Sequence, residues 1–244
     1  MNRTTPESRG EEVSSASNVV AKILSFIHQR RYESGERLPS ERDFADRFGI
    51  SRAAVREALA ALETMRVIER RPNSGIFLRN TDDSSIEALV LHAASGLPFA
   101  PEDAANVFEV RRILEVQAVK LACDNRTADD IENMRNILLR TKSHLDENIS
   151  IEKEDEDFHL AIVAATKNGI LVRTVKSFYE LSKVRRQIYF SDNERGRRAY
   201  LDHGEILNAI EARRGGEAAK KMTQHLSQAL AAWQFLLGES VPPR

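Results

Sequence analysis

Residues 38–79 read LPSERDFADRFGISRAAVREALAALETMRVIERRPNSGIFLR, and this stretch decides the fold of the N-terminal part of the chain. Ser40 followed by Asp43 has the form of a capping box, so a helix is expected to open at about Glu41. Phe44, Ala45 and Phe48 give it a small apolar face, Gly49 stops it, and Ser51 caps the next helix. In that second helix Val55, Leu59, Leu62 and Met65 recur at spacings of four, three and three, which makes one buried stripe. Arg52 and Arg56 lie one turn apart beside the stripe, with Ala53 keeping the surface low, as a helix entering a major groove requires. Val67–Arg71, a Pro72-Asn73-Ser74-Gly75 turn and Ile76–Leu78 then read as a β-hairpin. Two helices across a tight turn, followed by a hairpin, make a winged helix-turn-helix, with the helix-turn-helix at about 40–59. A helical hairpin with merely solvated arginines would leave the order of these three elements without a reason.

The wording of the stretch resembles the GntR family of bacterial transcription regulators. The family's L-P-S-E-R stands here as Leu38–Arg42, and its S-R-x-x-V-R-E-A-L as Ser51–Leu59, the resemblance covering about residues 18–80. It implies that Arg42, Ser51, Arg52 and Arg56 touch double-stranded operator DNA and that the wing tip near Gly75 lies along the minor groove. The wing turn departs from the family's usual glycine-flanked form.

Working outward, 244 residues suggest two domains, and a net charge of −1 hides an asymmetry. Residues 1–80 carry 14 Lys and Arg against 11 Asp and Glu, a net of +3, which leaves −4 for the rest. A basic head on an acidic body fits a DNA-reading module joined to something else, although so small an excess also fits ordinary scatter. Cys123 stands alone, so no internal disulfide can form, and a reducing cytoplasm is expected. No apolar run approaches the ~18–20 residues of a membrane span, and the N-terminus lacks an apolar signal core.

The expected organisation is a disordered tail at 1–15, the winged helix at 16–81, a linker and connecting helix at 82–104, a helical domain at 105–237 and a loose tail at 238–244. Val19, Val20, Ile23, Leu24 and Ile27 mark the first helix, and Gly96-Leu97-Pro98 breaks one over 86–95. From about Pro101 onward strand-like alternation is missing and glycine is scarce, so the fold class is mainly α, with an antiparallel bundle as the second domain.

Within that bundle, EDEDFHLAI places Asp155 and His159 four apart on one helix face, with Glu156 a weaker rival and Asp157 pointing away. His203 and His225 are 22 residues apart, with Arg214-Gly215-Gly216 midway. If the glycines turn a helical hairpin, each arm is about 16 Å at about 1.5 Å per residue, and the two histidines come level. Three imidazoles and a carboxylate could then share one divalent metal with coordination positions left open. Solvated acids and satisfied histidines are the plain alternative. His28, His92 and His144 match no pattern.

Residues 105–232 resemble the FCD effector domain of FadR-type GntR regulators. The resemblance rests on Arg111 to Glu115, Asp155 to Phe158-His159, His203–Ile210 and Met222–Leu226. It implies that Asp155, His159, His203 and His225 bind a metal: zinc first, with nickel or manganese tolerated by such a set. It further implies that Arg111 and Asn168 face the pocket of a small carboxylate effector, against plainer roles as an ion pair with Glu115 and a helix cap. The sequence is thus read as a homodimeric, ligand-responsive repressor, not an enzyme. A metal-dependent hydrolase fused to a DNA-binding head, and a non-sensing DNA-binding protein with a structural metal, are the rival readings.

Overall fold

The Ser40 side chain accepts from the Asp43 amide while the Asp43 carboxylate accepts from the Ser40 amide at 3.0 Å, so the expected capping box is present. In the computed structural model, which describes residues 8–97 and 101–236, the chain divides into two units between residues 98 and 99. The first begins with α1 (Ser8–Gln29), which buries Val19, Val20, Ile23, Leu24 and Ile27 at helical spacing. Strand β1 (Arg37–Leu38) leads into α2 (Glu41–Phe48), which ends at Gly49 with φ 65°, the left-handed cap glycine takes at least cost. Ser51 then caps α3 (Arg52–Thr64) by accepting from the Ala54 amide at 3.2 Å. Val55, Ala58, Leu59 and Leu62 form its buried stripe against α1.

Strands β2 (Ile68–Arg71) and β3 (Gly75–Leu78) pair antiparallel, Ile68 opposite Leu78 and Arg71 opposite Gly75. Their turn places Asn73 at φ 57° behind Pro72, with the Ser74 amide donating to the Arg71 carbonyl at 3.0 Å. Pro and a positive-φ Asn suit the two central positions of a type II turn. The sheet has a third strand that the sequence analysis did not anticipate, since β1 pairs with β3 to give the order β1-β3-β2. Two residues are too short to show a period-two pattern.

Two terminal expectations need comment. Helix α1 starts at Ser8, so residues 8–15 are helical rather than tail; once Val19–Ile27 fixes a helix, no proline or glycine between 11 and 18 interrupts its growth N-terminally. The rest of that tail, and the C-terminal tail at 238–244, lie outside the described residues. Helix α4 (Ile86–Ala94) occupies the stretch expected to connect the domains, and Leu91 packs against the core of the first unit.

The second unit contains helices α5 (Pro101–Asn125), α6 (Ala128–Asp146), α7 (Glu152–Ala165), α8 (Gly169–Tyr189), α9 (Asn193–Glu211) and α10 (Gly215–Leu236). Val119 and Cys123 of α5, Met134 of α6, Phe158 and Ile162 of α7, Ile206 and Ile210 of α9 and Met222 of α10 form its main core. Helix α8 adds a smaller cluster around Val175 and Tyr179, under Ala118 and Val163. The α9–α10 turn is not made by the glycines: Gly215 and Gly216 open α10, and Arg213 takes the left-handed conformation at φ 56°. Its guanidinium donates to the carbonyls of Cys123 at 2.7 Å and Asp124 at 2.6 Å, satisfying groups that the end of α5 leaves without helical partners. Among the described residues no helix is long and apolar enough to cross a membrane.

Candidate metal centre and nucleic-acid interface

Asp155 and His159, one turn apart on α7, meet His203 of α9 and His225 of α10, and all four are buried. One ligand atom from each lies within 4.8 Å of the other three. Nε2 of His225 is 3.3 Å from Nε2 of both His159 and His203, and Asp155 Oδ1 is 3.7 Å from His159 Nε2 and 3.6 Å from His203 Nε2. Nitrogens each about 2.0–2.1 Å from one ion stand about 3.3 Å apart at tetrahedral angles, so the donor set fits a divalent metal. Burial, then His225, His159 and Arg111, hold the His203 pKa well below the ordinary imidazole value, which keeps it in the neutral form that coordinates. Glu156, the rival carboxylate, is instead bound to Arg186 at 2.9 Å, and Asp157 to Lys153 at 2.9 Å.

A second layer surrounds these four. Glu115 is 1% exposed and accepts from Arg111 Nε at 2.5 Å, while its other oxygen meets His159 Nδ1. Tyr179 Oη lies 2.5 Å from an Arg111 amino group and 3.2 Å from Glu115 Oε1. Burial alone would raise the Glu115 pKa; Arg111 and His159 more than offset it and hold the carboxyl well below the usual range. The ion pair of Arg111 and Glu115 expected from their spacing is present, but it is buried inside the site rather than lying on the surface. His225 Nδ1 in turn stands 3.1 Å from Asp202 Oδ2. Glu115 entered the sequence analysis only as the partner of Arg111, and Asp202, next to His203 in sequence, serves the other arm of the hairpin. Their neighbours in sequence give no hint of either role.

Arg111, Asp155 and His225 also line a 30 Å³ cavity, together with Phe108, Arg185 and Arg186. That volume holds only one or two water-sized groups. Arg186 is bound to Glu152 and Glu156, at 3.0 and 2.9 Å. Burial, then the charges of Arg111 and Arg186, push Arg185 down to about 9, and its guanidinium lies 4.1 Å from the Phe108 ring centre. Asn168 does not join them. It is exposed, and its side-chain oxygen accepts from the amides of Ile170 and Leu171, both at 3.1 Å, as the N-cap of α8. The cap expected as its plainer role is present, and Asn168 is not among the residues that line this cavity.

In the first unit Arg42, Arg52, Arg56 and Gly75 line one groove of 470 Å³, together with Arg37, Arg70 and Arg71. Arg42 and Arg52 are exposed, and Arg42 is 3.6 Å from Asp46, a loose pair that DNA can displace. The Arg56 Nε donates to Glu41 at 3.2 Å, and the Arg56 side chain stays 66% exposed. Arg70 reaches the Arg56 carbonyl at 3.2 Å and Glu41 at 3.7 Å, tying the wing to both helices of the motif. Ser51 uses its oxygen as the cap of α3, and its own O–H can still donate to a phosphate. Gly75 sits at φ 120°, where a Cβ would come within 2.8 Å of the Arg37 side chain. Arg37, Arg70 and Arg71 were not singled out from sequence as part of this face, because strand pairing is what brings them to it.

Comparison with known proteins gives matches to both halves. Residues 15–78 match the profile of bacterial regulatory proteins of the gntR family, and residues 106–228 match that of the FCD domain. The Uxu operon regulator of Haemophilus influenzae is 33% identical over 207 residues, 82% of this chain and 74% of that protein. The HTH-type transcriptional regulator LutR of Bacillus subtilis is 32% identical over 207 residues, 83% of this chain and 93% of that protein. These relatives are transcription regulators, not enzymes. A solved structure of Lar, titled as controlling the agr system of Listeria monocytogenes, superposes with a TM-score of 0.61 at 18% identity, covering 96% of this chain and 100% of that one. At that identity the likeness concerns the fold.

Proposed function

We propose, for a chain that belongs to the GntR family of bacterial regulatory proteins and carries an FCD domain, a metal-dependent sensor of a small carboxylate that represses transcription as a homodimer. The observation that carries this reading is the buried Asp155–His159–His203–His225 cluster, which shares Asp155 and His225 with an arginine-lined cavity. Zinc is the first candidate for those four residues, with nickel and manganese as alternatives. A divalent ion there supplies a Lewis-acidic anchor for a carboxylate oxygen. Arg185 lines the cavity beside Arg111, whose own charge is paired with Glu115; an anion in the cavity would offset the burial and the neighbouring cations that lower the Arg185 pKa. The 30 Å³ cavity restricts the acid to a small one unless the side chains around it move.

On the DNA side, Arg52 and Arg56 read guanine edges, Arg42 and Ser51 hold phosphate, and the wing near Gly75 follows the minor groove. Two copies related by a two-fold axis present the same helix twice, so the operator is a short pseudo-palindrome. A bacterial regulator that binds operator DNA works in the cytoplasm, which is the compartment this reading requires. Thermal-shift measurement of the full-length protein against small carboxylates, with and without added zinc, tests the reading. Stabilisation that needs both components supports it; stabilisation by metal alone, with no response to any acid and no change in operator binding, favours a structural metal.

A further inference from the structure

The three imidazoles present the same nitrogen to the cluster, which cannot follow from ligand identity alone. A neutral histidine carries its proton on either Nδ1 or Nε2, and only the unprotonated nitrogen can coordinate. Here every convergent nitrogen is Nε2, and the opposite nitrogens of His159 and His225 each meet a carboxylate that is not part of the four-residue set.

We propose that Glu115 and Asp202 are positioning residues of this centre: each accepts the Nδ1–H of one histidine, fixing the tautomer and ring angle that aim Nε2 at the metal. Glu115 does this for His159 from α5, and it is itself fixed by Arg111 and Tyr179. Asp202 does it for His225 from α9, at 3.1 Å and with its side chain 25% exposed. His203 is held in another way, by the Phe158 ring stacked at 4.3 Å between centroids. Through Glu115, one carboxylate touches both a candidate metal ligand and the arginine of the cavity, so the His159 ring and the Arg111 guanidinium are set by the same group. The inference rests on the metal reading above and adds to it the residues that orient the ligands. Outer carboxylates of this kind strengthen binding because they raise imidazole basicity and remove the entropy of ring reorientation.

The test uses the full-length wild type, Glu115→Gln, Asp202→Ala and Asp202→Asn. Zinc affinity is measured by competition with a chromophoric chelator, and the visible spectrum is recorded on cobalt-loaded protein. Glu115→Gln, which keeps one oxygen where Glu115 uses two to accept from Arg111 and His159, and Asp202→Ala are expected to weaken zinc binding by about 10–100-fold and to shift the cobalt bands. Asp202→Asn, whose amide oxygen still accepts the Nδ1–H, should recover most of the affinity. The melting temperature of metal-free Asp202→Ala should match the wild type, since that side chain reaches solvent. Should Glu115→Gln fail to fold, the Asp202 variants decide by themselves. Wild-type zinc affinity and unchanged cobalt bands in Asp202→Ala would overturn the positioning role. A wild-type protein that binds neither zinc nor cobalt would instead overturn the metal reading on which it stands.

Discussion

Nε2 of His203 and Nε2 of His225 lie 3.3 Å apart across the α9–α10 hairpin, with 22 residues of chain between them. Two lone pairs at that distance repel unless a proton or a cation lies between them. A shared proton or a bound cation relieves that repulsion, so the hairpin holds a pair of groups that a divalent ion could stabilise.

Replacing His203 or His225 with Ala should remove that stabilisation. Zinc should raise the melting temperature of the wild type and leave these variants nearly unmoved. At a hundredfold excess over Kd a ligand adds about 2.7 kcal/mol, which scanning calorimetry resolves easily. Operator binding without effector should survive in both variants, because the core of the first unit contains neither residue. Full effector response in chelated, metal-free wild type would show the metal to be structural.

Operator recognition should separate into two classes. Arg52→Ala and Arg56→Ala are each expected to cost about 1–3 kcal/mol on the specific site and to relax base preference. Arg42→Ala should weaken all sequences alike and flatten the salt dependence. Unchanged operator affinity in both Arg52 and Arg56 variants, measured by fluorescence anisotropy, would sink the assignment of the reading helix.

Gly75→Ala should damage the wing through its backbone. Its φ of 120° strains any L side chain, while the Arg37 side chain that the new Cβ would meet at 2.8 Å is flexible and can move aside. A cost of about 1–3 kcal/mol is expected for such a backbone position, with weaker operator binding. Gly49→Ala removes a left-handed cap at φ 65° where nothing crowds the new Cβ, so its cost should be the smaller. Paired thermal melts compare the two.

Asn168→Ala sets the observed cap against a role in effector binding. Losing the two amide bonds at the start of α8 should cost about 1 kcal/mol, or about 2–4 °C in melting temperature for a domain of this size. Effector affinity should not change. A calorimetric titration showing a tenfold loss of effector binding at unchanged stability would restore the residue to the site.

The full-length protein should sediment as a dimer at micromolar concentration. A monomer under those conditions would remove the two-fold symmetry from which the pseudo-palindromic operator is argued.

The sequence by itself determined whatever depends on local spacing. Ser40 with Asp43, Gly49 and Ser51 set the bounds of two helices, because caps act within one turn of chain. The four-residue step from Asp155 to His159 put both on one face, because 3.6 residues make a turn. Even the level meeting of His203 and His225 could be read from equal arm lengths, although Arg213 rather than a glycine makes the turn. Tertiary structure decided the rest. Nothing in local spacing assigns Glu115 to His159 or Asp202 to His225, since each pair is made by packing between different helices. The same holds for β1, two residues long, and for Arg37 beneath Gly75, which strand pairing alone brings together. Asn168 shows the converse: its fragment of sequence serves a cap and a ligand site equally well, and only the fold shows its oxygen accepting from the amides of Ile170 and Leu171 and the residue outside the lining of the cavity.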